Sequence, residues 1–162
     1  MAKFTLPEQF KIVEALAPAA DAAGRTAGNA VSLKNYSKAW LLVTLTQGNA
    51  ATVLLSILQA TAVAKTGGKV ITNPVRIWAN ADTSLTDTLV RQTDAVNFTT
   101  DAGVKNKQVL FEIDPAYLDV ANGFDCVYMS TGASNAANIT QAQWILSGPR
   151  FASQTPPSAI ID

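Results

Sequence analysis

Histidine is absent from this chain, cysteine occurs once, and charged residues make up only 15% of it. Each shortage bears on a class of function. Without an imidazole there is no Ser-His-Asp or Cys-His relay to activate a nucleophile, and the commonest ligand of transition metals is missing. A lone cysteine permits no intramolecular disulfide, so the chain does not read as a disulfide-stapled secreted domain. Cys126 lies in Phe124-Asp125-Cys126-Val127-Tyr128, a strand context that predicts a buried, inert thiol and argues against zinc. No apolar run is long enough for a transmembrane helix. The start, Met1-Ala2-Lys3-Phe4-Thr5-Leu6-Pro7, lacks the basic and apolar segments of a signal peptide, so synthesis in a cytoplasm is expected.

Lys+Arg and Asp+Glu both number 12, for a formal charge of zero. Affinity for nucleic acid draws on phosphate neutralisation, and this balance leaves no footprint for it. The densest basic spot, Lys105 and Lys107, reads as a solvated loop. The charged fraction is well below the ~25% of an ordinary soluble domain. Large contacts with partner chains would account for that, and so would a small Ala- and Thr-rich domain.

What is present is a pattern of short β-prone runs. At 162 residues the chain is expected to form one core. The clearest feature is Lys38–Leu58, where two apolar runs flank Gln47-Gly48-Asn49; this predicts a β-hairpin. Both strands are apolar at successive positions near their centres, which suits a sheet face covered by a second sheet or by a partner. Further strands are expected at 31–33, 69–72, 75–79, 89–92, 95–99, 108–113, 126–131 and 143–146, the last running on through Phe151. Thr66-Gly67-Gly68 and Asn122-Gly123 are turns. Asp114 caps a helical turn begun by Pro115. About eight strands at intervals of roughly ten residues predict an all-β antiparallel sandwich, with a jelly roll as the preferred topology.

The ends differ in composition. Pro7 and the apolar residues Phe10, Ile12, Val13 and Leu16 predict a short helix near Pro7–Ala17, ended by Pro18, followed by a small-residue stretch. The expected organisation is an N-terminal arm over 1–30, a β-sandwich over 31–151 and an extended tail over 152–162. Arm and tail are expected to tie subunits together, so deletion of 1–28 should leave a folded domain.

Carboxylates offer little chemistry. Asp82, Asp87, Asp94 and Asp101 are too widely spaced for an EF-hand loop and read as Asx turns and strand-end caps. Glu112, Asp114 and Asp119 are close in sequence, but facing carboxyls across a cleft are not evident. Gly67-Gly68-Lys69 lacks the spacing of a phosphate loop. Trp40, Trp78 and Trp144 sit among apolar neighbours and read as core before they read as a sugar-stacking surface. No catalytic, cofactor-binding or metal-binding residue is assigned, and no enzyme activity is expected.

Several stretches carry a resemblance in combination: Asn35–Trp40, Gln47–Thr52, Trp78–Asp82 with Asp87–Val96, Asp119–Cys126, Ser134–Thr140 and Thr155–Ile160. From about Asn35 onward the chain resembles small virion proteins of tailed bacteriophages encoded beside the major capsid protein, in particular jelly-roll head decoration (cement) proteins. The resemblance implies a structural protein on the exterior of the phage head, made in the bacterial host cytoplasm. It implies the major capsid protein and further copies of itself, as dimers or trimers at capsid symmetry axes, as partners. Nucleic acid, membranes and cofactors are not implied. The alternative is a tail- or fibre-associated module that recognises host glycans through exposed aromatics; a small hydrolase ranks below both.

Overall fold

The computed structural model describes residues 5–150 and 155–161. Among the described residues, a short helix, α1 (Leu6–Gln9), is followed by eleven strands: β1 (Phe10–Ala20), β2 (Val31–Ser32), β3 (Tyr36–Gln47), β4 (Leu54–Ala60), β5 (Lys69–Val70), β6 (Arg76–Asn80), β7 (Val90–Arg91), β8 (Asn97–Thr99), β9 (Asn106–Ile113), β10 (Cys126–Thr131) and β11 (Asn138–Pro149). They build two antiparallel sheets. One has the order β1-β11-β3-β9-β6-β7, and the other β2-β10-β4-β5 with β8 also on β4.

Period-two alternation explains why the sheets stack. Along β3, Ala39, Leu41, Val43 and Leu45 are fully buried and face the other sheet, where Leu55, Ile57, Val127 and Met129 meet them in one continuous core. Removing each such Leu, Ile or Val side chain from water stabilises the fold by about 1.5–3 kcal/mol. Trp144 on β11 is also fully buried, and its indole N–H donates to the Asn29 carbonyl at 3.3 Å.

The pairing is nested. Strand β1 pairs with β11, β2 with β10, β3 with β9, and β4 with β5 and β8. Early strands thus meet late ones, as though one long hairpin had been rolled over itself. That winding is a jelly roll, widened at one edge by β6 and β7.

The hairpin expected at Gln47-Gly48-Asn49 does not form. Strands β3 and β4 belong to opposite sheets. The link 48–53 is long enough to cross the ~10 Å between stacked sheets, and its polar groups are anchored on both sides. Asn138 accepts from the Asn49 N–H at 2.9 Å and donates to the Ala51 carbonyl at 2.7 Å. The Thr100 hydroxyl accepts from the Val53 N–H at 2.9 Å and donates to the buried Gln47 amide oxygen at 2.9 Å. Gly48 is not left-handed; a Cβ there would sit 2.5 Å from the Ala137 carbonyl oxygen. Close approach, not turn geometry, is what requires glycine.

The N-terminal region also departs from expectation. The helix stops at Gln9, and residues expected to continue it form β1 on the edge of the six-stranded sheet. Ala15 and Leu16 enter the core, so these residues are built into the sandwich across the expected division at residue 30. Bulges between Glu14 and Ala19 and the edge position of Pro18 suit an outermost strand. The free edge is sealed by the returning chain. Asn29 donates to the Glu14 carbonyl at 2.9 Å, and Arg25 donates to the carbonyls of Ala17 and Ala19. Asp21, fully buried, locks this corner by accepting from the hydroxyls of Thr131 and Thr140 beside the Arg25 guanidinium.

At the other end, β11 begins at Asn138, five residues before its expected start. The described tail folds back on its own body: Pro156 and Ala159 are buried, and the Ala159 carbonyl accepts from the Ser32 N–H at 2.7 Å. The expected strand end at Phe151 lies outside the described residues.

Two outcomes follow for stability. Asp21→Ala, which strips two buried hydroxyls of their acceptor and Arg25 of its counter-charge, should lower the unfolding free energy by about 3–5 kcal/mol in urea titrations. Deletion of 1–28 should not leave a stable domain, contrary to the expectation from composition, because it removes an edge strand and uncovers Trp144; loss of a cooperative thermal transition is the readout.

Candidate functional site

The outer faces of the two sheets are unlike. On the five-stranded sheet, Cys126, Tyr128 and Ala60 form a small second cluster with Ala30, covered by the 61–68 segment that carries Val63. Lys65 lies over the Tyr128 ring at 5.4 Å and hydrogen bonds to the Thr26 carbonyl at 2.5 Å. Cys126 is completely buried there.

On the six-stranded sheet, strand register brings outward side chains into rows. One row runs Ile12, Ile145, Trp40, Glu112 and Arg76 across β1, β11, β3, β9 and β6. The next takes one residue from every strand of the sheet: Glu14, Gln143, Leu42, Leu110, Trp78 and Arg91. Trp40, Leu42, Trp78, Leu110 and Ile145 are each only partly buried, by their neighbours within the sheet. Ile12 is 46% exposed. Among the described residues, all eleven strands belong to the two sheets, so no third layer of strands covers this face. It is broad, apolar and aromatic, with arginine at one margin, the composition found at the centres of protein interfaces.

Electrostatics hold the face in shape. Glu112 accepts from Lys38 at 2.9 Å, from the Trp40 indole N–H at 3.3 Å and from Arg76 at 3.2 Å. The Lys38 hydrogen bond, with smaller contributions from Trp40 and Arg76, keeps its carboxyl below the usual range despite partial burial. The Arg91 guanidinium stacks 4.9 Å from the Trp78 ring and pairs with Asp94.

The expected placement of the tryptophans is corrected in part. Trp144 is core, whereas Trp40 and Trp78 lie on the outer face. The sequence signal for this was already in β3, where the outward positions Trp40 and Leu42 are as apolar as the inward ones.

The carboxylates do not converge. Asp82 pairs with Lys105 at 3.1 Å, Asp101 with Lys107 at 2.6 Å and Asp119 with Lys69 at 2.6 Å. Asp82 and Asp101 also close Asx turns onto the N–H groups of Ser84 and Gly103, and Asp114 caps its helical turn through the Ala116 N–H. Among the described residues, no three acidic or cysteine side chains come together in a metal-binding group. Lys107, expected in a solvated loop, is buried against Asp101; Lys105 is exposed.

A cleft of about 580 Å³ opens beside β7 and β8, with Ala79, Leu85, Val90 and Phe98 among its apolar lining. Its polar groups are engaged within the chain: Asn80 donates to the Thr86 carbonyl at 2.7 Å and accepts from the Asp82 N–H at 3.0 Å. The acidic side chains that were weighed for chemistry are thus engaged separately, in ion pairs and turns, while the outer face of the six-stranded sheet has the means to adhere.

No protein-family model matches the chain. No curated protein matches it in sequence. Among solved structures, the SPBc2 prophage-derived protein YomS aligns over 91% of this chain and 100% of its own, at 10% identity and a TM-score of 0.49.

Glu112 yields a pH-dependent outcome. Its folded-state pKa is depressed, so its stabilisation is complete above the unfolded value near 4.3 and is lost as pH falls through the lower folded value. Glu112→Gln should cost about 1–2 kcal/mol at neutral pH. The difference from wild type should shrink in melts taken progressively below about pH 4.

Proposed function

We propose that this protein is a structural component of a tailed-phage virion that binds the outer surface of the capsid and stabilises the head. The observation that carries the reading is the open face of the six-stranded sheet: Trp40, Leu42, Trp78 and Leu110, each only partly buried, stand side by side, and among the described residues no further layer of strands covers them. A protein that works by adhesion needs such a surface and needs no assembled catalytic group. The resemblance of the segments between Asn35 and Ile160 to head decoration proteins supports the same reading. So does the low charged fraction of 15%.

Physically, a shell under internal pressure is reinforced by adding contact area across subunit boundaries. A standard contact buries about 1,600 Å² in total. Many modest contacts on one shell act together, so no single one needs extreme affinity.

The test is add-back. Purified heads lacking the protein should bind it to saturation at a fixed number of copies per capsomer and then withstand higher temperature before releasing DNA. Absence of binding, or binding without a change in release temperature, would reject the cement role. Trp40 and Trp78 on the open face also suit the second reading, glycan recognition. Binding on a glycan array that disappears in Trp78→Ala, without head binding, would favour it. Trp144 has no part in that test, being buried.

A further inference from the structure

The two sheets do not end together. One inward-facing row of the six-stranded sheet runs Val43, Val109, Ala79 and Val90 across β3, β9, β6 and β7. Val43 is 0% exposed, Val109 1%, Ala79 9% and Val90 58%. These side chains share the face that meets the second sheet, so the rise marks where that sheet stops. Its last strands on this side are β5 and β8, both paired with β4. Val90 overhangs the cleft of about 580 Å³, in the place where one more strand of the second sheet would lie.

The edge facing that gap is unpaired. The Val96 carbonyl accepts from the Ile57 N–H at 3.2 Å, and the Thr100 N–H donates to the Val53 carbonyl at 3.0 Å, so both residues turn their backbone groups toward β4. Backbone direction alternates along an antiparallel strand. Asn97 and Thr99 therefore turn their N–H and C=O groups away from β4, and no other strand among the described residues pairs with β8. Both residues are exposed. Phe98 and Thr99 line the cleft from this edge, and Leu85, Thr86 and Thr88 line it from the segment before β7.

We propose that the cleft binds an extended peptide segment of a partner protein, which adds to β8 as a further strand and covers Val90. The segment exchanges backbone hydrogen bonds with Asn97 and Thr99, two positions about 6.8 Å apart along the edge. Its alternate side chains enter the cleft against Ala79, Val90 and Phe98, and the others face solvent. The inserted side chains are apolar. The carboxylates in the lining, Asp82 and Asp101, are already paired with Lys105 and Lys107 and leave no counter-charge for a buried cation. The occupant is a lone segment and not the edge of a second sandwich, because a whole domain approaching β8 would meet Leu85, Thr86 and Thr88. This site uses the inward side of β7 and the edge of β8, not the face that carries Trp40 and Trp78. It goes beyond the capsid reading and is measured without a capsid, so either can fail alone.

The experiment is selection by the full chain on an array of randomised short peptides, followed by titration of the best-retained peptide with amide hydrogen exchange as the readout. Retained peptides should alternate apolar and polar residues, and binding should slow exchange at Asn97 and Thr99. N-methylation of alternate peptide nitrogens, which removes the pairing donors, should weaken binding by at least about tenfold. Val90→Asp, at an exposed position, should do the same by placing a charge in the cleft. Thr99→Pro removes an N–H that β4 does not use and should also weaken binding; if melts show it misfolded, Val90→Asp decides. No retained peptide, no alternation among those retained, protection away from β8, or affinity unchanged in Val90→Asp would overturn the proposal. So would self-association that protects Asn97 and Thr99 without peptide, since the occupant would then be a second copy.

Discussion

The core closes only because the apolar runs 36–47 and 54–60 enter opposite sheets. Each carries an inward stripe, Leu41, Val43 and Leu45 on one and Leu55 and Ile57 on the other. Paired side by side, the two stripes would face the same way and leave both uncovered. Placed in opposing sheets, each covers the other. The crossing link 48–53 makes that choice enforceable. Its backbone is anchored by Asn138 from the start of β11 and by Thr100 from the segment after β8. The nested order of the remaining strands follows, since β9 and β11 flank β3 in one sheet while β5, β8 and β10 pair with β4 in the other.

Buried polar groups in this fold mark corners. Gln47, Thr100 and Asn138 fasten the crossing, and Asp21, Thr131 and Thr140 fasten the turn after β1. In a low-dielectric interior an unpaired polar group is expensive, so a fully satisfied network specifies one arrangement over near competitors. Among the described residues, every buried side-chain nitrogen or oxygen has a hydrogen-bond partner. The same economy shapes the edges: β1 is sealed by Arg25 and Asn29, and Tyr36 donates to the carbonyl of Pro157 in the tail. With the β1 edge sealed and the Ala60, Cys126 and Tyr128 patch of the five-stranded sheet covered, the outer face of the six-stranded sheet offers the broad apolar surface for contact.

Local signals in the sequence were legible where one short segment decides its own geometry. Asp114-Pro115 forms its capped turn, Asn122-Gly123 turns with Gly123 left-handed, and β5, β6, β9 and β10 fall where alternation places them. Cys126 is buried as its strand context indicates. The reading fails where a distant segment decides. Residues 10–20 have helical spacing of Phe10, Val13 and Leu16, yet they become a strand because β11 offers a partner along most of their length. Gln47-Gly48-Asn49 has the composition of a hairpin turn, yet it crosses between sheets because Asn138 and Thr100 hold the link that follows.

By itself, the sequence determined the all-β class, the positions of most strands, and the lack of histidine-based chemistry, since these depend on residue type and near neighbours. Tertiary structure alone decided which strands pair, that Trp144 is core while Trp40 and Trp78 are surface, and that Lys107 is buried against Asp101. Alternation tells two faces of a strand apart but not which one another layer will cover. When both faces are apolar, as in β3, only the opposing sheet settles which is interior, and the face left over becomes the surface through which the protein can act.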